Sequence, residues 1–366
     1  MPSMAPMSFP GSRPRGDCTR ARDRPVGARA RAGPAVRGHP FAWPVRLPGH
    51  RRPGQTPTGG RPGTKVSTRR RATVVRSGVS AAAARAGPHH AAGGGMAARF
   101  GYRAPTQRDE LLRLLGEYGE RARVLAGGTD LLGDVRGGLA HPEVMVDLKR
   151  VEGFRELGWS ADDGLLIRPG VTINDLLEDD RVRTSYPLLV ACAQDLASHQ
   201  IRNRATVIGN VVNASPCADM APALLCLGAH AVLSSQGGRR EIPFTEFFTG
   251  AKRTVLRPGE LLEEVVVPPA AAGARGSYRK LKRIKGHDLG IVGVAALVED
   301  GALRLGISSC APTPLLVDGL ATDAPVEEVV AAAKAAISPI SDVRCTKEYR
   351  THMVGVYVRR ALAEVA

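Results

Sequence analysis

The chain has 366 residues, enough for two domains and a sizeable buried core. Its formal net charge of +16 is concentrated at one end: residues 1–95 hold 18 of the 51 basic side chains and 2 of the 35 acidic ones. The remaining 271 residues carry 33 of each and net to zero, so a basic-partner reading (nucleic acid, anionic membrane) is excluded for the main body.

Six cysteines, Cys18, Cys192, Cys217, Cys226, Cys310 and Cys345, stand far apart with no C-x-x-C spacing. Neither an iron–sulfur cluster, nor a structural zinc, nor a disulfide framework is expected from such spacing. No run of 18 uncharged apolar residues occurs, so no membrane span is expected.

From Met1 to Gly95 the sequence is rich in Arg, Pro, Gly and Ala without hydrophobic periodicity. Such a segment buries too little apolar surface to offset its chain entropy and is expected to be disordered. Three readings stay open. An upstream start wrongly assigned ahead of Met96 is favoured, because Met96 opens directly into patterned sequence. A targeting leader fits the Arg-rich, acid-poor composition and the run Arg69-Arg70-Arg71, although Arg76 and Arg85 interrupt the following apolar stretch. A nucleic-acid tail is weakened by the scarcity of aromatic residues for stacking.

After Met96 helices and strands alternate. Thr106–Tyr118 carries Leu111, Leu112, Leu114 and Leu115 on one helical stripe, with Thr106 as N-cap candidate. Strands are predicted at Arg123–Ala126, Val144–Leu148 and Leu165–Ile167. Helices follow at Thr172–Asp179, capped by Thr172 or Asn174, and at Pro187–Ala197. Beyond a Gly/Asn-rich stretch come a helix at Ala221–Leu227, a strand at Ala231–Ser235 and a Pro/Ala/Gly linker over 264–275, where a domain boundary is placed. Leu289–Val298 and Ala302–Ser308 predict a hairpin around Glu299-Asp300-Gly301, followed by helices at Val326–Ala336 and Lys347–Ala363. Strands and helices in no strict βαβ order predict an α+β fold.

Two segments carry chemistry. Ala126-Gly127-Gly128-Thr129-Asp130 follows a strand, and paired glycines let backbone N–H groups approach a phosphate closely while Thr129 adds a hydroxyl. From these residues alone an ordinary tight turn is the favoured reading; a Rossmann or Walker loop does not fit. The second segment, Arg202 to Asp219, spaces Asn203, Asn210 and Asn213 with Thr206, Ser215 and Asp219 between short apolar pieces. It reads either as a turn network or as a loop that hydrogen-bonds a large polar ligand. Two such loops in one chain favour a ligand with a pyrophosphate and sugar hydroxyls.

The two loops, in this order, resemble the flavin-binding subunit of molybdenum hydroxylases, the family of xanthine dehydrogenase and aerobic carbon monoxide dehydrogenase. The resemblance runs over essentially all of 96–366, from Phe100-Gly101-Tyr102-Arg103-Ala104-Pro105 through Asp147-Leu148, Phe247–Gly250, Pro258–Leu262, Tyr278-Arg279-Lys280 and Asp288 to Asp342-Val343-Arg344 and Tyr349-Arg350. It implies a PCMH-type FAD-binding domain of two subdomains at 96–270 and a smaller α/β C-terminal domain at 274–366. It further implies FAD contacts from Leu125, Ala126, Gly127, Gly128, Thr129, Asp130 and Leu131, and from Thr206, Gly209, Asn210 and Ser215. Asp219 matches a carboxylate that contacts the FAD, and Lys280 a lysine that reaches it from the C-terminal domain. No catalytic acid–base residue and no metal ligand is implied, since the flavin itself carries the redox chemistry.

The same resemblance implies partners: a molybdopterin-binding large subunit and a 2Fe-2S small subunit in a cytoplasmic heterotrimer, with NAD or another acceptor receiving the electron pair. One position departs from the family pattern. Ile208 stands where the second loop's first glycine belongs, and a β-branched residue adopts positive φ only at high cost. A side chain at Gly127 is expected to fill the space of a phosphate, and loss of Lys280 to weaken FAD or alter its reactivity. His199 and His287 read as structural residues, Cys217 as a small packing residue, and Asp162-Asp163 and Asp179-Asp180 as solvated turns. Rival readings are a self-contained flavin oxidase on the same fold and a nucleic-acid-binding protein acting through the leader.

Overall fold

A computed structural model describes residues 99–160, 162–269 and 274–366; the readings of residues 1–95 lie outside the described residues. The first part is built from β1 (Gly101–Arg103), α1 (Arg108–Tyr118), β2 (Ala122–Leu125), α2 (Leu131–Arg136) and β3 (Val144–Asp147). Its three strands pair in parallel in the order β1-β3-β2. The predicted leucine stripe of α1 is fully buried, packed with Val144, Val146 and Leu148. The helix starts later than expected. Thr106 is not its cap, because the Thr106 carbonyl accepts from Glu152 N at 3.0 Å, and Gln107 occupies the cap position without a side-chain bond.

The second part runs through β4 (Leu157–Ser160), β5 (Gly164–Ile167), α3 (Ile173–Glu178), α4 (Asp180–Ser185), α5 (Pro187–Asp195), α6 (His199–Arg202), α7 (Val207–Val212), α8 (Ala221–Cys226), β6 (His230–Ser235), β7 (Gly238–Pro243), β8 (Phe248–Gly250), β9 (Arg253–Thr254) and β10 (Leu261–Val267). An antiparallel sheet of order β4-β5-β10-β6-β7 buries Leu165, Ile167, Leu233 and Val265 against Ile173, Leu189, Val207 and Leu224 of the helices. Thr172 caps α3 in a capping box with Asp175. Asp179 is not merely a solvated turn residue: its carboxylate accepts from Arg181 N and Val182 N to cap α4. The linker expected over 264–275 starts too early. Glu264 to Val267 belong to β10, where Val265 and Val267 are fully buried and pair with β5.

The third part contains β11 (Arg275–Leu281), β12 (Val292–Glu299), β13 (Ala302–Ser308), β14 (Leu315–Ala321), α9 (Val326–Ala336) and α10 (Lys347–Val365). The strands form an antiparallel sheet in sequence order. The β12–β13 hairpin turns on Asp300 and Gly301, both at positive φ (51° and 76°), as a two-residue turn matched to strand twist requires. Alternate residues of β12 face opposite layers. Val292, Val294 and Ala296 pack under α9 and α10, whereas Ala295 and Leu297 join the core that contains α5 and α8. Gly306 is needed here, since a Cβ would stand 2.3 Å from the Pro222 carbonyl oxygen of α8. The result is α+β throughout. Among the described residues no helix is long and apolar enough to cross a membrane.

Candidate cofactor-binding site

The parallel strand β2 ends at Leu125, and the chain bends at Gly128, which holds φ at +75°. The Gly128 carbonyl accepts from Leu132 N at 3.2 Å, which starts α2. The intervening backbone N–H groups of Gly127, Gly128, Thr129 and Asp130 have no acceptor among the described residues. Four consecutive unpaired backbone donors on one turn are available to anionic oxygens. Thr129 and Asp130 are exposed, and Asp130 caps α2 by position only. Behind the bend, Lys149 Nζ reaches the Ala126 carbonyl at 3.3 Å.

The second segment contains a short helix, α7, where sequence reading placed loop alone. Thr206 caps it, accepting from Gly209 N at 2.9 Å. Ile208 sits in its first turn, buried to 4% exposure, in a helical position that makes no demand for positive φ. The cost expected of a β-branched side chain there does not arise. Val171 and Ile173 hold the segment from one side through Val207 N to Val171 O and Ile173 N to Ala205 O, at 3.1 and 2.9 Å. Asn174 holds the approach to it: its amide nitrogen lies 3.1 Å from His199 Nδ1 and donates to Asn203 Oδ1 at 2.5 Å, while its oxygen accepts from Arg202 Nε at 3.2 Å. His199 is thereby held in place by Asn174.

Gly127 brings the two segments together. A Cβ added there would lie 1.9 Å from the Arg204 carbonyl oxygen and 3.0 Å from Ala205 Cα. Its missing side chain therefore makes room for the other loop's backbone. Further along, Asn210 Oδ1 accepts from Met220 N at 3.2 Å and Ser215 Oγ from Cys217 N at 3.2 Å. Both side chains order the descent from α7 to Asp219.

Asp219 and Lys280 meet at the far end of the segment. Lys280 Nζ stands 2.7 Å from Asp219 Oδ1, with side-chain exposures of 2% and 12%, and Tyr278 OH donates to the same oxygen at 3.2 Å. Burial pushes the Asp219 carboxyl above the usual range, and the Lys280 ammonium and the Tyr278 hydroxyl offset only part of that. Burial likewise raises Tyr278, with the Asp219 charge adding to it. Lys280 Nζ also lies 3.4 Å from the Asp195 carbonyl, and beside it opens a cavity of about 520 Å³ lined by Asp195, Tyr278, Lys280, Tyr357 and Arg360.

The C-terminal sheet grips the same segment through a polar cluster that sequence reading registered only as a resemblance block. Arg344 donates to the Gly290 carbonyl at 3.1 Å and to Cys217 Sγ at 3.3 Å. Cys217 is thus buried, as expected, but ligates a guanidinium as well as filling space. Asp342 receives Arg344 at 2.7 Å and Arg350 at 2.8 Å. Arg350, 1% exposed, also donates to the Ile291 and Ser309 carbonyls at 2.7 and 3.0 Å. Ser309 is held at φ +69° with its N–H on the Pro216 carbonyl, so the cluster sustains a strained residue against the ligand segment.

Burial acts to raise the Asp342 carboxyl, but the Arg344 hydrogen bonds and the Arg350 charge outweigh it and hold it far below its ordinary value. A depressed carboxyl stabilises the fold above its unfolded value of about 3.9, and that contribution is lost as pH falls through and below it. Asp342→Asn is expected to lower unfolding free energy at pH 7 by about 2 kcal/mol, because it strands a buried guanidinium. Denaturant titrations at pH 7 and pH 3 should show the difference shrinking at the lower pH. An equal difference at both would refute the assignment.

Comparison with known proteins identifies the family. Residues 98–270 match the FAD binding domain in molybdopterin dehydrogenase, and residues 276–365 the CO dehydrogenase flavoprotein C-terminal domain. The carbon monoxide dehydrogenase medium chain of Hydrogenophaga pseudoflava is 34% identical over 278 residues, covering 72% of this chain and 96% of that protein. The xanthine dehydrogenase FAD-binding subunit of Escherichia coli O157:H7 is 30% identical over 277 residues, 72% of this chain and 94% of that one. The solved structure of reconstituted CO dehydrogenase from Oligotropha carboxidovorans aligns with a TM-score of 0.70 at 32% identity, over 74% of this chain and 98% of that chain.

Proposed function

The chain belongs to the FAD-binding medium subunits of the molybdenum hydroxylases, and from that premise we propose that it is the electron-exit subunit of such a complex. In this reading electrons arrive from the iron–sulfur clusters of a 2Fe-2S small subunit, after substrate oxidation in a molybdopterin-binding large subunit. They leave to NAD or another acceptor. FAD supplies the exchange between single electrons and electron pairs; the protein binds and orients it.

In the stretch Leu125 to Leu131, the free N–H groups of Gly127 to Asp130 hold the pyrophosphate. Thr206, Gly209, Asn210 and Ser215 shape the neighbouring wall, and Asp219 with Lys280 closes the end nearest the C-terminal domain. The flavin-binding part then spans 96–270 and the C-terminal part 274–366. The observation that carries this reading is the convergence at Gly127, where a turn with four free donors packs backbone to backbone on the second loop. That donor set is what a dianionic bridge between two nucleosides needs.

The test is electron transfer in the assembled complex. Reduced 2Fe-2S subunit should bleach the flavin absorbance of the full chain, and NAD or a quinone should restore it. Substrate turnover by the purified single chain would instead establish the self-contained oxidase.

A further inference from the structure

We propose that Lys149 is the cation of the pyrophosphate site, an assignment that rests on the flavin-binding reading above. From Leu125 to Val135 the first loop contains no lysine or arginine but two aspartates, exposed Asp130 and half-buried Asp134. An anion carried on that loop would meet two carboxylates and be held by neutral N–H groups alone. A cation from elsewhere in the fold would offset that charge, and Lys149 is placed to supply it.

Lys149 lies just past β3, the strand paired with β2, so parallel pairing of Leu125 with Asp147 puts it behind the bend. Its ammonium stands 2.7 Å from Asp147 Oδ1 and 3.3 Å from the Ala126 carbonyl, one residue before the glycine pair. Those two contacts use two of its three N–H bonds. The side chain remains 30% exposed, while Asp147 is 6% exposed.

Asp147 acts as the anchor. Its Oδ2 accepts from Tyr102 OH at 2.5 Å, and its Oδ1 from Lys149 N at 2.9 Å. Burial would raise this carboxyl, but hydrogen bonds from Lys149 and Tyr102 hold it lowered, so it stays ionised and keeps the ammonium in place. Because Tyr102 and the Lys149 backbone share the carboxylate, the ammonium is fixed without being fully neutralised. A pre-positioned cation loses little side-chain freedom when an anion arrives.

The experiment titrates FAD into the apo form of the full chain over a range of salt concentrations. The variants Lys149→Met and Lys149→Arg are compared with the natural chain. Loss of one charge-assisted contact is expected to raise the FAD Kd about tenfold in Lys149→Met at low salt. The dependence of Kd on salt should become shallower, because a screened charge pair has gone. Lys149→Arg should retain most of the affinity and the natural slope. An unchanged Kd, or a weakened one with a salt dependence parallel to that of the natural chain, would overturn the assignment and leave Lys149 a structural residue. Failure of the natural full chain to take up FAD at any salt concentration would instead count against the flavin-binding reading itself, so the two failures are distinguishable.

Discussion

Gly127→Val is expected to produce a folded full chain that no longer retains FAD. The reason is steric and internal. A Cβ at this position would lie 1.9 Å from the Arg204 carbonyl oxygen, and backbone cannot swing aside as a flexible side chain does. The two loops must part, and overpacking of this kind commonly costs 1–3 kcal/mol. If that cost falls on the bound geometry alone, FAD affinity should drop by about 100-fold. Ala205 belongs to the core of the five-stranded sheet and Ala126 packs on that of α1, so far-ultraviolet circular dichroism and a thermal melt are recorded beside FAD retention to separate loss of cofactor from loss of fold. The measurement is the flavin-to-protein ratio after desalting, and a natural ratio in the valine variant would show that the loops need not touch for the cofactor to be held.

What the sequence disclosed and what it hid divide along physical lines. The leucine stripe of α1, the apolar strands β3, β5 and β6 and the Asp300-Gly301 turn announce themselves by period and by turn chemistry. Strands such as β1, β4 and β7 have no apolar run of their own, and their burial patterns are mostly exposed or intermediate. They are strands because a neighbour supplies a ladder, which no local window contains. β11 was hidden for a related reason: Tyr278 and Lys280 point into the core between charged residues, and Lys280 is buried only because Asp219, 61 positions earlier, meets it.

The site shows the same split. Gly127-Gly128 and the Arg202–Asp219 stretch were legible as special because glycines and amides clustered there. That Gly127 serves loop–loop contact is a fact of tertiary distance. Asn174 offered no signal beyond being a polar residue inside a helix, yet its amide gathers His199, Arg202 and Asn203. Lys149 reads as a surface lysine until the β2–β3 pairing places it under Ala126. Ile208 erred in the opposite direction. Family pattern marked it as a defect, but the helical position tolerates it and the core receives its side chain.

Lys280→Met is expected to have the second large effect, and its pH dependence separates the charge from the bulk. Methionine keeps much of the apolar stem, so the main loss is the ammonium beside Asp219. Breaking one half of a buried pair costs about 3–5 kcal/mol because the other half is left uncompensated. Burial already raises Asp219 in the natural chain, with Lys280 opposing it; in the variant the folded value rises further above the unfolded one near 3.9. A carboxyl raised in this way binds its proton more readily in the folded state, so stability falls as pH rises from the unfolded towards the folded value. The deficit of Lys280→Met should therefore be greatest at neutral pH and shrink as Asp219 takes up a proton on acidification. Adding Asp219→Asn to Lys280→Met should recover much of the stability at pH 7, because the stranded charge is gone. Denaturant unfolding at pH 7 and pH 5 checks both points: a deficit independent of pH, with no recovery in the double variant, would mean that Lys280 contributes packing and not charge. FAD affinity need not follow stability. If the double variant refolds but binds FAD weakly, the pair acts on the cofactor as well as on the fold.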